Sequence, residues 1–532
     1  MTFTPDFDAI VVGAGFGGIY MTKKLVDQGL SVKVIEAAPD VGGTWYWNRY
    51  PGAMSDTRSF LYRYSWDLED LCQYPWDREY LNQPQVLVYL QHVVDRHHLR
   101  QYMQFNTEMK AASWNSERNA WMVDVSPDQK LTSRYLVTAV GLLSRQNYPD
   151  IPGIRSFQGE MYHTGSWPAS HDFRDKRVGV IGNGSTGVQL VTALASEAKH
   201  LISFQRNPQY VVPAGNREVP PEARQRLNQC WEQTWSEAKH SMFGFGFRES
   251  AIPTFSVSEE ERERIFEEAW EYGSGFYFMF GTFCDISYNE DANRAAADFI
   301  RRKIQQTVKD PIKAQKLMPT GWFARRPLCD TGYYEKFNQP NVDIVNVNSN
   351  PITEVTENSV RTADGTAYEV DVIILATGFD AVDGSYKRIP IHGSSGQTLR
   401  GNWKDEPKSY LGISAPGFPN LLMILGPKGP FTNLPPLIEA QVEFIAGLIA
   451  QANQAASCKP RIEADTDAMM QWCQTCDELS AGSLFRKTDS WIFGANVLGK
   501  KKAVLFYFGG LANYRKVLEG TVQGGYMGFK PF

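Results

Sequence analysis

Cysteine is scarce in this chain: seven residues among 532, and an odd number. So few thiols exclude a disulfide scaffold and point to a reducing, cytoplasmic setting. No stretch approaches the roughly 18 apolar residues of a membrane span. The apolar run Ala9–Tyr20 is preceded by Asp6 and Asp8 instead of Lys or Arg and contains a glycine motif, which argues against a secretion signal. The last residues, Gly528–Phe532, carry no anchor or retention signal. Basic excess is missing too. Lys and Arg number 54 against 59 Asp and Glu, a formal charge of -5, so neither nucleic acid nor an anionic membrane is an expected partner. Low-complexity tracts and short-period repeats are also absent. What remains, 42% hydrophobic and 21% charged, is an ordinary globular composition, long enough for two to four folded units at about 150 residues each. Nothing in it sets the oligomeric state; a monomer is compatible with it.

The chain alternates strand, glycine turn and helix, and repeats the pattern about 170 residues later. The apolar run Ile10–Val12 leads into Gly13-Ala14-Gly15-Phe16-Gly17-Gly18, an amphipathic stretch to Gly29, and a second buried strand at Val32–Ile35. Val178–Ile181 leads into Gly182-Asn183-Gly184-Ser185-Thr186-Gly187, a helix expected to reach Lys199, and a strand at Leu201–Gln205. Two such units predict parallel sheets, hence an α/β protein with two Rossmann-like dinucleotide-binding domains. Between 221 and 320 the character turns helical. Ser258-x-x-Glu261 reads as a capping box, Ile265, Phe266, Ala269 and Trp270 share a helical face, and Glu290–Val308 reads as a helix stopped by Asp310-Pro311. Strand signals return at Val342–Val345 and Val372–Leu375.

In each G-x-G-x-x-G set the first glycine permits a tight turn, the second admits a pyrophosphate to the backbone, and the third lets helix and strand approach. The helix N-terminus then stabilises phosphate charge. After the first set, Glu36 stands 18 residues past Gly18, where an acid accepts ribose hydroxyls. After the second, Arg206 stands 19 residues past Gly187, with Asn207 beside it. Arginine pairs with a 2′-phosphate that an acid would repel, which predicts NADPH over NADH. One acidic and one basic ribose site suggest a bound FAD reduced by NADPH. Reduced flavin then either passes electrons to a disulfide or activates O2. Cys473-x-x-Cys476 is the only pair spaced for the first course; it lies in a stretch expected to be helical, far from either glycine set, and reads as structural, with Cys72, Cys230, Cys284, Cys329 and Cys458 isolated. No metal-ligand pattern is present.

The segment Phe157-x-Gly159-x-x-x-His163-x-x-x-Trp167-Pro168 resembles the fingerprint of the type I Baeyer–Villiger monooxygenases, which likewise precedes their second glycine set. Gly42–Gly52, Tyr64–Asp67, Arg326–Asp330, Ala376–Asp380, Gly429–Pro436 and Trp491–Asn496 resemble the cyclohexanone monooxygenase branch in order and nearly end to end. Amine- and sulfide-oxygenating relatives share the glycine sets but lack Trp167-Pro168 and the Arg326 segment. The resemblance implies FAD-binding parts at 1–145 and 380–532, a linker with the fingerprint at 146–172, NADP-binding parts at 173–220 and 326–379, and a helical insertion at 221–325.

It further implies that a C4a-peroxyflavin, kept as an anion, attacks a ketone carbonyl and yields an ester or lactone. Arg326 matches the active-site arginine, a cation that keeps its proton, and Asp56 the carboxylate that orients it. His163 and Trp167 are expected to serve as structure or hinge, not as catalysts. Phe16, Glu36, Thr44, Trp45, Asp56, Tyr62 and Met109 match flavin contacts, with Gly13, Gly15 and Gly18 in the loop. Ser185, Thr186, Gln189, Arg206, Asn207, Arg325 and Trp491 match NADP(H) contacts, with Gly182, Gly184 and Gly187. Arg325 departs from the lysine of the resembled enzymes. The ketone pocket is expected at Leu142, Leu143, Pro430, Phe431, Thr432, Leu434, Phe506 and Phe508, the last replacing a leucine.

Overall fold

The computed structural model describes residues 3–455 and 460–531. The strand Phe7–Val12 lies parallel to Val32–Ile35 on one side and to Gln129–Thr138 on the other. Gly13 ends the first strand at φ +104°, a backbone region L-residues rarely adopt; a methyl there would also lie 2.5 Å from the Ala139 carbonyl. The turn opens the helix Phe16–Asp27. Met109–Asn115 and Ala120–Val125 extend this sheet antiparallel. The late strands Ile391–His392 and Leu421–Met423 rejoin it.

Between leaving and rejoining, the chain builds a second, fully parallel sheet in the order Val342–Asn346, His200–Gln205, Arg177–Ile181, Val372–Leu375, Glu160–His163. The fold is α/β with two Rossmann-type sheets. The helix after the second glycine turn, Ser185–Leu194, stops five residues short of Lys199. There the chain turns back, and the Lys199 N–H donates to the Lys176 carbonyl at 3.0 Å.

The helical stretch contains Pro221–Asn228, Trp231–Lys239, Glu259–Tyr272, Glu290–Thr307 and Pro311–Leu317. Ser258 caps the third of these by accepting the Glu261 N–H at 3.2 Å. The box is only half formed, because Arg264 takes the Glu261 carboxylate at 2.6 Å. Asp310 caps the last helix and Pro311 fills its first position. A short parallel pairing of Val211–Pro213 with Leu328–Asp330 fixes where Arg326 leaves the insertion. The helix Leu434–Ala455 runs buried beside Phe16–Asp27, tied by Tyr20 Oη donating to Glu443 at 3.2 Å and Gln28 Nε2 to the Ala446 carbonyl at 3.0 Å. Among the described residues no helix is long and apolar enough to cross a membrane.

Candidate active site

One cavity of about 1590 Å³ runs between the two sheets. That exceeds the roughly 300–1,000 Å³ of a single-ligand site. Both glycine turns open onto it. At Gly184 an added methyl meets no protein atom within 4 Å, and at Gly15 only ordinary contact with Gly43 at 3.4 Å. The protein itself does not demand glycine there; a molecule lying against the backbone would, and the open space fits a dinucleotide pyrophosphate at each turn. Gly18 and Gly187 do not line the cavity. A methyl on either would strike the carbonyl of Gly13 or Gly182, at 1.8 and 2.1 Å, so these glycines serve helix-to-turn packing.

Glu36 follows the strand Val32–Ile35 and lies buried at the cavity edge. Its carboxylate accepts the Ala14 N–H at 2.7 Å and the Ala38 N–H at 2.8 Å. Burial raises its pKa nonetheless, those N–H groups opposing. Trp45 donates its indole N–H to Tyr62 Oη at 3.1 Å, and Phe16 meets Tyr62 edge to face at 5.2 Å. Phe16, Thr44, Trp45, Tyr62 and Met109 all line the cavity.

On the other side Ser185, Thr186, Gln189, Arg206, Asn207, Arg325 and Trp491 line it, with Gly182. Asn183 Nδ2 donates to the Asn207 carbonyl at 2.8 Å and shapes that loop. Arg206 and Arg325 form no ion pair among the described residues. Arg325 has its pKa lowered by burial and then by Arg206 nearby. Asp489, whose backbone carbonyl accepts from Arg325 Nε at 3.2 Å, partly offsets this, and the two neighbouring guanidinium groups, neither held in an ion pair among the described residues, make an anion site that fits a 2′-phosphate.

At the heart of the cavity Arg326 grips Asp56 through two bonds, Nε and Nη2 each 2.8 Å from a carboxylate oxygen. The guanidinium lies 4.9 Å over the Phe276 ring. Burial disfavours its charge, but the Asp56 carboxylate outweighs burial and the pKa is raised, so the cation persists at any working pH. Leu142, Leu143, Pro430, Phe431, Thr432, Leu434 and Phe506 line the apolar side. Phe508 does not reach the cavity. It stands behind Phe431, 5.9 Å away, and stacks on Phe493 at 5.6 Å, so its bulk acts through Phe431. Phe276, Tyr50, Thr57 and Asn433 were not singled out by sequence. Phe276 comes from the helical insertion, where nothing in its spacing sets it apart from core aromatics.

His163 ends the edge strand Glu160–His163, paired with Leu375, and its Nδ1 accepts the Gly165 N–H at 3.1 Å. Trp167 is buried, donates to His171 Nδ1 at 3.1 Å, and packs on Tyr162, Phe173 and Tyr50. Tyr50 in turn donates to Gln189 Oε1 at 2.8 Å, which links this linker to the second glycine helix. Burial pushes the His163 pKa down to about 4. The folded protein therefore holds it neutral while the unfolded chain protonates near pH 6.5, and stability is lost as pH falls from about 6.5 towards 4, by up to ~1.4 kcal/mol per pH unit. His163→Asn, which keeps an acceptor for Gly165, is expected to flatten the fall in Tm between pH 7 and 5; calorimetry at both pH values checks it.

Cys473 and Cys476 are free, buried in the helix Thr466–Ala481 and absent from the cavity lining, and burial raises both pKa values. Neither is placed to exchange electrons there. Cys458 lies outside the described residues. No cluster of three or more metal-ligating side chains occurs among the described residues.

The flavin-binding monooxygenase-like family model matches residues 8–219. A Baeyer–Villiger monooxygenase of Pseudooceanicola batsensis is 50% identical over 99% of this chain and 96% of its own length. A phenazine N-monooxygenase of Lysobacter antibioticus is 49% identical over 98% and 96%. The crystal structure of cyclohexanone monooxygenase from Rhodococcus sp. Phi1 bound to NADP+ superposes with a TM-score of 0.97 at 52% identity, covering 99% of both chains. With two adjoining dinucleotide clefts and a clamped arginine between them, and with this likeness running end to end, the chain belongs to the type I Baeyer–Villiger monooxygenases, flavin- and NADPH-dependent enzymes.

Proposed function

We propose that this enzyme converts cyclic ketones to lactones, and open-chain ketones to esters, with ketone, O2, NADPH and a proton giving ester or lactone, water and NADP+. The single observation that carries this reading is the Arg326 guanidinium, locked to Asp56 and facing a cavity that both glycine turns share. FAD would lie on the first turn, its ribose on Glu36 and its ring near Trp45, Tyr62 and Asp56, with Met109 contributing backbone. NADPH would lie on the second turn, held by Ser185, Thr186, Gln189, Arg206, Asn207, Arg325 and Trp491. FAD held there would pass the electrons of NADPH to O2, one atom of which enters the ketone while the other leaves as water.

The rest is done by side chains of this chain. Arg326 places a permanent charge where the carbonyl oxygen turns negative, and Asp56 fixes its direction in advance, so no reorganisation is needed at the moment of reaction. Leu142, Leu143, Phe431 and Phe506 orient the ketone and exclude water that would divert the oxygen. Apolar walls discriminate by only about 1–3 kcal/mol per methylene, so a range of ketones is expected. The free thiols support a cytoplasmic setting.

A second reading, N-oxygenation of an aromatic nitrogen, is favoured by the Lysobacter antibioticus relative. One assay separates the two. The purified flavoprotein is given NADPH in air with cyclohexanone, larger cyclic ketones or phenazine, and products are identified by mass spectrometry. Lactones carrying one added oxygen are expected; N-oxide formation with every ketone unchanged would overturn the first reading.

A further inference from the structure

Among the described residues the Arg326 guanidinium is held by the Asp56 carboxylate along its edge and the Phe276 ring against its face. They come from distant parts of the chain, so something must hold them in register. Asn433 is placed to do so. It is 2% exposed, and its side-chain carbonyl accepts the hydroxyl of Thr57, the residue after Asp56, at 3.3 Å. Its amide Nδ2 donates to the Gly244 carbonyl at 2.8 Å, and its backbone N–H donates to the Phe243 carbonyl at 2.9 Å. Gly244 adjoins Phe245, whose ring stacks on Phe276 at 3.8 Å and 21°. The contacts close a circuit: Asp56, Thr57, Asn433, Gly244, Phe245, Phe276, Arg326 and back to Asp56.

The direction of the amide is fixed, because the Gly244 carbonyl can only accept a hydrogen bond. Gly244 itself sits at φ +69°, and its added methyl would approach Leu511 at 3.1 Å and Pro436 at 3.3 Å, so the loop has little freedom to drift. Thr432 Oγ1 also donates to the Phe243 carbonyl, which ties the apolar wall of the cavity to the same loop. We infer that Asn433 is a positioning residue for the oxygen-transfer half of the reaction, holding the Asp56 and Phe276 partners of Arg326 in fixed register. The inference rests on the ketone-oxidising reading above and adds a residue to it.

When register is lost, the flavin is still reduced by NADPH, but the electrons leave as hydrogen peroxide: O2, NADPH and a proton give H2O2 and NADP+ with no ketone consumed. The test compares Asn433→Leu, which keeps the shape without the bonds, with Asn433→Asp, which sets a carboxylate against the Gly244 carbonyl. Thr57→Val removes only the other end of one bond. In Asn433→Leu the anaerobic rate of flavin reduction and the KM for NADPH are expected to stay within about twofold of wild type, while lactone formed per NADPH falls about tenfold and H2O2 makes up the balance. Thr57→Val is expected to uncouple in the same direction, with Asn433→Leu/Thr57→Val no worse than Asn433→Leu alone, since both break one circuit. Asn433→Asp is expected to uncouple at least as far as Asn433→Leu. Should the Asn433 variants fail to fold, Thr57→Val with the same coupling measurement decides the matter. Wild-type coupling in Thr57→Val and in any soluble Asn433 variant, or a parallel loss of flavin reduction and lactone, overturns the inference. Wild-type enzyme that makes no lactone from any ketone would instead overturn the function on which it rests.

Discussion

Arg326→Ala is expected to cut lactone formation by about a thousandfold while NADPH still reduces the flavin at nearly the wild-type rate. Removing one preorganised donor from a developing oxyanion costs about 10²–10³ in rate. Here a full charge is lost, and the Asp56 carboxylate that it neutralised is left in the cavity beside the growing negative charge. Both changes act in the same direction, which places the effect at the upper end. Arg326→Lys should fall between, since ammonium keeps the charge but cannot hold both carboxylate oxygens in a planar fork. Stopped-flow reduction under nitrogen, followed by product analysis in air, separates the two half-reactions. Undiminished lactone from Arg326→Ala would remove the catalytic assignment.

The second large effect lies at the coenzyme. Arg206→Ala should raise the KM for NADPH by about 10- to 100-fold and leave NADH turnover unchanged, because a charge-assisted bond to phosphate contributes roughly 1.5–3 kcal/mol and about 1.4 kcal/mol is a factor of ten. Arg325 adds to the same site, and in its absence Arg206 no longer repels a neighbour. The two substitutions together are therefore expected to fall short of the sum of their separate effects. Steady-state kinetics with both coenzymes on the three variants checks this. Equal losses with NADPH and NADH would show that the arginines hold the loop and not the phosphate.

Much of this architecture could be read before any coordinates. Strand, glycine turn, helix and acid or arginine are local signals set by backbone sterics and ribose chemistry, and Val32–Ile35 and Val372–Leu375 form over the expected residues. Helix ends were less legible. The length of Ser185–Leu194 is set by where Lys199 finds the Lys176 carbonyl, a partner supplied by another part of the fold. The Ser258 box fails by half for a similar reason, Arg264 competing for Glu261. The clamp between Arg326 and Asp56 was legible only through resemblance, since 270 residues separate them and neither is unusual alone. Phe276 carried no signal, being an aromatic among aromatics, and Asn433 stood out only as part of the resembling segment Gly429–Pro436, since the two bonds of its side-chain amide exist only after the chain has folded. Phe508 is the opposite case, a residue expected at the pocket that stands behind Phe431 and not on the cavity lining.

Each glycine turn is a single unbroken stretch of backbone, whereas the opposite wall of the cavity is gathered from residues near 142, 326, 431 and 506. A contiguous loop is inherited whole or lost, but a wall of scattered contributors can be retuned one substitution at a time without disturbing the machinery that delivers electrons. Descendants of such a scaffold are free to wander in what they oxidise while keeping the same fuel.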